Sequence, residues 1–294
     1  TNTLTFDYQV VAGNSSADLD YASLTALALN GGSIADAATN AAALTLAVPG
    51  APGSLGANKA LVIDTTAPLV AVTRVNGSVR GFPYTSNANV SSIGGSCGTD
   101  PGDVNTVRPL INGSGTTPAS TTCLSGSWTL TLDAPLASDG TWTLSATQVD
   151  AAGNTGTAAN QILTVDKTPP SVSSIVRMGA VQLVKSGPLS WMVTFSEPVS
   201  GVVVSNFVLV TSGLGGTTPT VGAVTASGGS PSATWTVTTS MAGTTGTNNG
   251  SVGLNLVGAG SITDVATNPV SPTSFTGQVY SFDTTAPVVT GVSS

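Results

Sequence analysis

The residues in this sequence whose types and spacing could do chemistry are aspartates, and they recur. Fourteen acids are present, all but Glu197 being Asp, and six of these Asp lie in two motifs that each occur three times. One motif is Asp64-Thr65-Thr66-Ala67-Pro68, Asp166-Lys167-Thr168-Pro169-Pro170 and Asp283-Thr284-Thr285-Ala286-Pro287. The other is Asp36-Ala37-Ala38-Thr39-Asn40, Asp150-Ala151-Ala152-Gly153-Asn154 and Asp264-Val265-Ala266-Thr267-Asn268. A hard cation such as Ca2+ takes six to eight oxygen ligands, and Asp carboxylates, Asn and backbone carbonyls and Thr hydroxyls are that donor type. On this reading Asp36, Asn40, Asp64, Asp150, Asn154, Asp166, Asp264, Asn268 and Asp283 form a candidate metal set. A second reading of the same residues is that each Asp and Asn caps its own turn through bonds from side chain to backbone. Both readings stand at this point.

The spacing adds a geometric expectation. Each turn motif precedes the next Pro-containing motif by 28, 16 or 19 residues, which is about one loop and one strand. A strand leaving the turn ends at the opposite pole of its module. The turn of one module is therefore expected to face the hinge through which the chain enters that module, and a cation there would stiffen the joint.

Other chemistry is poorly supplied. There is no His, so neither a Ser-His-Asp triad nor a His metal site can be built. Glu197 ends a strand as Glu-Pro, and context singles out no pair of carboxylates as a glycosidase pair. The Gly-rich pieces Gly213 to Gly216 and Gly228-Gly229 lack the strand, helix and Lys of a phosphate loop and read as turns. No catalysis is expected. Cys97 and Cys123 pair as a disulfide adding roughly 3–4 kcal/mol, or remain two buried thiols. The disulfide reading implies an oxidising, extracellular compartment.

The elements that must position these residues are strands. Leu4, Phe6, Tyr8 and Val10 alternate with polar residues, as do Leu44, Leu46 and Val48. Trp128, Leu130 and Leu132 form a similar row, as do Trp142, Leu144 and Ala146. The clearest alternation is Leu189, Trp191, Val193 and Phe195. The segment Gly94 to Thr122 shows little periodicity. Hinge spacing matches one small β-sandwich per interval and divides the chain into 1–66, 67–168, 169–285 and 286–294. The first piece reads as the C-terminal part of a module, expected to show unpaired strand edges, and the last as the start of the next module or a linker. Pro in each hinge restricts the backbone, so the hinges are expected to act as semi-rigid spacers.

Composition excludes some partners. Only 7% of residues are charged and the net charge is −7, so no basic stripe exists for nucleic acid. No apolar run reaches the roughly 18 residues of a membrane span. Exposed faces carry rows of Thr and Ser with only three Lys in the chain. Such faces suit glycosylation or lateral packing against another chain, and Thr is also simply a good strand residue.

In the hinges, the Asp150 to Asn154 turn, and Val193-Thr194-Phe195-Ser196-Glu197-Pro198-Val199 followed by Asn206-Phe207, the chain resembles the bacterial immunoglobulin-like repeats of very large secreted surface proteins. The first piece, from Asn2-Thr3-Leu4-Thr5-Phe6 to Leu55-Gly56-Ala57-Asn58-Lys59-Ala60, resembles the C-terminal part of the same kind of repeat. The resemblance implies an all-β chain of tandem Ig-like antiparallel β-sandwich domains in an elongated array, extracellular and at the cell surface. It also implies Ca2+ at Asp36, Asp64, Asp150, Asp166, Asp264 and Asp283. The expected role is a stalk or fibre segment of an adhesin or filament. Its expected partners are neighbouring domains of the same longer chain, with lateral self-association into a fibre as a further contact. The alternative is a glycan- or ligand-binding sandwich, which an exposed aromatic row would favour; the four Trp instead sit at inward-looking positions.

Overall fold

The computed structural model describes residues 4–179, 182–215, 218–240 and 249–291. The chain is all-β with Ig-like antiparallel sheets, and its contacts divide it into two compact units. The first comprises Thr1–Arg80, Ser92–Ala134 and Thr143–Gln161; the second comprises Gly81–Ser91, Pro135–Trp142 and Ile162–Ser294.

In the first unit, residues 4–62 are mostly loop. Ser15–Ser16 pairs antiparallel with Ile63–Asp64, and one helical turn, Leu55–Asn58, is capped by the Ser54 hydroxyl. The alternating rows at Leu4 to Val10 and at Leu44 to Val48 form no strand, and Leu4, Phe6, Tyr8 and Val10 are exposed, Phe6 by 74%. This corrects the expectation that one face of that row is core. Thr1–Thr3 lie outside the described residues. Alternation specifies a strand only where a neighbour supplies both the ladder and an apolar surface. Among the described residues nothing pairs with 4–10.

Beyond the hinge, Ala71–Val75 pairs antiparallel with Val90–Ser96 and turns into Ser78–Val79 through Asn76-Gly77. Asn76 and Gly77 have φ of 49° and 75°, the pair of positive values that a two-residue hairpin requires and that Asn-Gly accepts. Asn112-Gly113 repeats the device after the strand Asp103–Ile111. Asp103–Ile111 lies inside the segment that shows little periodicity. Its register on Gly140–Asp150 shifts between Gln148 and Asp150. Plain alternation from Leu144 and Ala146 puts Gln148 and Asp150 inside and Val149 outside. Ser145, which alternates with the inward row Trp142, Leu144 and Ala146, is nonetheless buried, and its hydroxyl donates to the Ala158 carbonyl at 2.7 Å. Trp128 is 2% exposed and donates to the carbonyls of Ala71 and Ser96.

The second unit contains two four-stranded sheets. One has the order Val172–Arg177, Ser190–Val199, Ser232–Ser240, Thr220–Ala226. The other has the order Leu183–Val184, Phe275–Phe282, Gly250–Leu256, Phe207–Ser212. Leu189, Trp191, Val193 and Phe195 are buried as their alternation predicts. They join Val237, Leu254, Ile262 and Tyr280 in one core. Trp191 meets Tyr280 edge-on at 5.1 Å and donates to the Gln278 carbonyl. Tyr84, Thr85 and Ser86 pair in parallel with Leu163, Thr164 and Val165 in this unit. No helix among the described residues is long and apolar enough to cross a membrane.

Candidate functional site

The hinge builds itself first. In all three copies the Asp Oδ1 accepts the amide two residues on: Thr66 N at 2.9 Å, Thr168 N at 3.1 Å and Thr285 N at 2.9 Å. A carboxylate reaching its i+2 amide closes a turn before the Pro, which explains the Asp-x-Thr order. Each hinge is also held by polar groups from nearby loops. Thr65 Oγ1 accepts from Gly13 N and donates to the Asn14 carbonyl. Asp139 accepts from Lys167 N and from the Thr168 hydroxyl. Asn249 Oδ1 accepts from Thr284 N at 2.8 Å.

The second motif is one structure made three times. The Asp backbone N–H donates to the Asn carbonyl, at 3.0 Å in Asp36, 3.1 Å in Asp150 and 3.1 Å in Asp264. The Asp carboxylate accepts both the Asn backbone N–H and the Asn Nδ2, all within 2.7–2.8 Å. The fourth position is left-handed in each: Thr39 at φ 73°, Gly153 at 93° and Thr267 at 73°. The Asn40 side chain and backbone hold the Asp36 carboxyl below its ordinary range. Burial pushes the Asp150 carboxyl up, but the bonds from Asn154, Ala152 and Gly153 outweigh it and leave the group below its ordinary value.

The two motifs meet. The second Nδ2 hydrogen of Asn154 donates to the Asp64 carbonyl at 3.0 Å, and that of Asn268 donates to the Asp166 carbonyl at 2.8 Å. In these two copies both Nδ2 hydrogens are thereby used, one on the Asn's own turn and one on the Asp-Pro motif that precedes it in the chain. Adjacent backbone reinforces both contacts. Ser271 N donates to the Pro170 carbonyl at 2.8 Å. Pro68 O lies so close to Gly156 that a Cβ there would sit 1.8 Å from it.

Of the nine candidate metal residues, the structure brings Asp64 to Asn154, and Asp166 to Asp264 and Asn268. Asp36 and Asn40 bond each other in an exposed loop. Asp283 bonds its own hinge. Around Asp166, Glu197 completes a group of three carboxylates with ligand oxygens within 4.8 Å of one another, the one such group among the described residues. Burial, followed by the charges of Asp264 and Asp166, pushes the Glu197 carboxyl above its ordinary range. Three converging carboxylates, one of them resisting ionisation, are a donor set that fits a hard divalent cation. At the Asp64 joint Asn154 occupies the Asp150 carboxylate just as Asn268 occupies that of Asp264, but there no third acid joins the pair among the described residues.

Cys97 and Cys123 are bonded and buried. Beside them Gln148, 1% exposed, binds the Gly98 N–H and carbonyl and the Val104 carbonyl, tying the loop onto Gly140–Asp150.

With this geometry in view, comparison with known proteins places one segment. Residues 86–167 match the bacterial Ig-like domain family. The match covers the disulfide, the Asp150 to Asn154 turn and Asp166, and supports a bacterial Ig-like domain there. Among solved structures, the chain is similar to fibronectin(III)-like modules of Clostridium thermocellum CbhA, at 13% identity over 71% of this chain and 92% of that one, with a TM-score of 0.28. It is also similar to the D00-D0 domain of intimin, at 13% identity over 69% and 98%, with a TM-score of 0.23. No curated protein matches.

Sequence reasoning missed Glu197, Asp139 and Asn249. Glu197 carried a signal, since it is the sole Glu; the strand Ser190–Val199 runs two residues past it, where Glu-Pro was expected to end it. Asp139 and Asn249 lie in loops with no recurring motif around them, so their contacts depend on tertiary placement.

Proposed function

We propose that this chain is a spacer segment of an extracellular bacterial surface protein, whose modules are held at fixed joints and perform no catalysis. The observation that carries the reading is the repeated amide bridge, Asn154 to the Asp64 carbonyl and Asn268 to the Asp166 carbonyl. A catalytic or ligand site needs one good constellation, whereas a spacer needs the same joint each time. Its partners are neighbouring modules of a longer chain. Ca2+ at Asp166, Glu197 and Asp264 would neutralise the carboxylates and stiffen that joint further.

Limited proteolysis of the intact chain tests the joint. Asn268→Ala is expected to make cleavage within residues 166–170 several-fold faster while leaving cuts elsewhere unchanged, because it removes both side-chain bonds of Asn268 and leaves the Asp166 carbonyl without that donor, at a cost of about 1–3 kcal/mol. Equal cleavage rates in variant and wild type would remove the basis of the proposal. Titration calorimetry with CaCl2 tests the cation: binding to the wild type that disappears in Glu197→Gln supports it, and no binding heat contradicts it.

A second reading keeps one observation. Phe6, Tyr8, Leu19, Tyr21, Leu27, Leu46 and Leu55 line a cleft of about 550 Å3 with Asp7 and Asp20 at its edge. Phe6 and Tyr8 are more than half exposed, which is the aromatic exposure a glycan-binding face would present. Trp128, Trp191 and Trp235 are buried and take no part.

A further inference from the structure

The sandwich of the second unit has four outermost strands, and three of them are blunted. Val172–Arg177 has a register shift between Val172 and Ser174 and carries Arg177. Thr220–Ala226 is bulged between Val221 and Ala223 at Gly222. Leu183–Val184 is two residues long. Short length, bulges and charge are how edge strands avoid pairing with other chains.

Phe207–Ser212 has none of these. It pairs with Gly250–Leu256 in six consecutive positions without a shift, and its sequence Phe-Val-Leu-Val-Thr-Ser contains no charge, Gly or Pro. Val257 N donates to the Asn206 carbonyl, so residue 206 and, by alternation, 208, 210 and 212 face the neighbouring strand. The N–H and C=O of Leu209 and Thr211 therefore point away from that strand, to an edge that no other strand among the described residues covers. The Phe207 N–H is used by the Val204 carbonyl. On the outer face, Val210 is 51% and Val208 is 41% exposed, and Val210, Gly253 and Val279 form one cross-strand row.

Charge identifies the occupant. Residues 198–263 contain no Asp, Glu, Lys or Arg, in a chain whose net charge is −7. A second copy, repelled elsewhere by its own sign, meets no like charge along this edge, and a partner selected by charge finds nothing to hold. We propose that Phe207–Ser212 is a pairing site for the same strand of a second copy, the two running antiparallel about a two-fold axis at Val210. Leu209 then exchanges both backbone bonds with Thr211 of the other copy, and Thr211 with Leu209, giving four hydrogen bonds. The two Val210 side chains lie opposite each other as a non-bonded pair, and both sheets join into one. This goes beyond the spacer reading, which needs only the joints.

One six-residue edge buries less than the roughly 1,600 Å2 of a standard interface, so the pairing is weak and concentration-dependent. Sedimentation equilibrium of the intact chain from about 10 μM to about 1 mM reads it, in the range expected of a small interface. The expected result is a mass rising toward two chains. Val210→Lys, which places like charges opposite each other, and Thr211→Pro, which deletes an outward N–H, lower the association constant by at least about tenfold. Thr225→Lys on the bulged edge leaves it unchanged, and circular dichroism shows all three variants folded. A wild type that stays at one chain throughout overturns the inference. So does association that persists in Val210→Lys, or that Thr225→Lys abolishes equally. The spacer reading survives any of these results, because hinge proteolysis is read on the monomer.

Discussion

The left-handed position of the Asp-Asn turn shows how a single residue tunes the joint. Gly153 adopts it freely, whereas Thr39 and Thr267 hold the same conformation with a β-branched side chain. Nothing lies within 4 Å of a Cβ built on Gly153, so the cost of a side chain there is purely conformational. Gly153→Ala is expected to destabilise the fold by about 1 kcal/mol, and Thr267→Gly to stabilise it by about 0.5–1 kcal/mol, read as urea midpoints. Two shifts of the same sign would contradict this. Asp139 gives a pH test at the same scale. The Thr168 hydroxyl, and then the Lys167 N–H, hold its carboxyl below the usual 3.8. A depressed carboxylate stabilises the fold above its unfolded value, and that contribution is lost as pH falls through the folded value. The stability gap between wild type and Asp139→Asn should therefore be constant above about pH 5 and close toward low pH; a gap that widens on acidification would contradict the assignment. The aspartates of the joint were legible because they recur with their spacing. Asp139 was not, because it sits in a loop and acquires its role only when the strands on either side bring it to the hinge.

At the scale of elements, the disulfide and Gln148 fix the part of the chain with the least periodic sequence. The bond spans Cys97 to Cys123 and encloses the strand Asp103–Ile111, whose Pro109 and polar residues hide its character. Reduction is expected to lower stability by roughly 3–4 kcal/mol, visible as a drop in Tm with dithiothreitol that Cys97→Ser/Cys123→Ser reproduces. An unchanged Tm would contradict a stabilising role for the bond. Two rows with the same alternation had opposite outcomes. Leu189 to Phe195 is flanked by two strands and is buried; Leu4 to Val10 has no ladder partner among the described residues and is exposed. Period-2 alternation encodes which face would be buried, and pairing decides whether there is a strand at all. The register shift opposite Gln148–Asp150 was equally invisible, since the step from Gln148 to Asp150 is matched by the longer step from Val107 to Asp103, and Val104, Asn105 and Thr106 carry no mark of it in their sequence.

Across the whole molecule, we propose that the hinges are built joints and not slack linkers. Three separate bond sets converge on the second hinge: the Asp166 turn, Asp139 from one side and Asn268 from the other. The first hinge repeats the plan with Asp64, Thr65 and Asn154. Flexible linkers rich in Thr and Pro would leave those amides open to solvent. The measurement that tests this most directly is backbone hydrogen exchange of the intact chain, resolved at Thr66, Lys167 and Thr168. The joints described here predict slowed exchange at all three amides, and loss of that protection at Lys167 and Thr168 in Asn268→Ala. Exchange at the rate of an unstructured peptide in the wild type would contradict them.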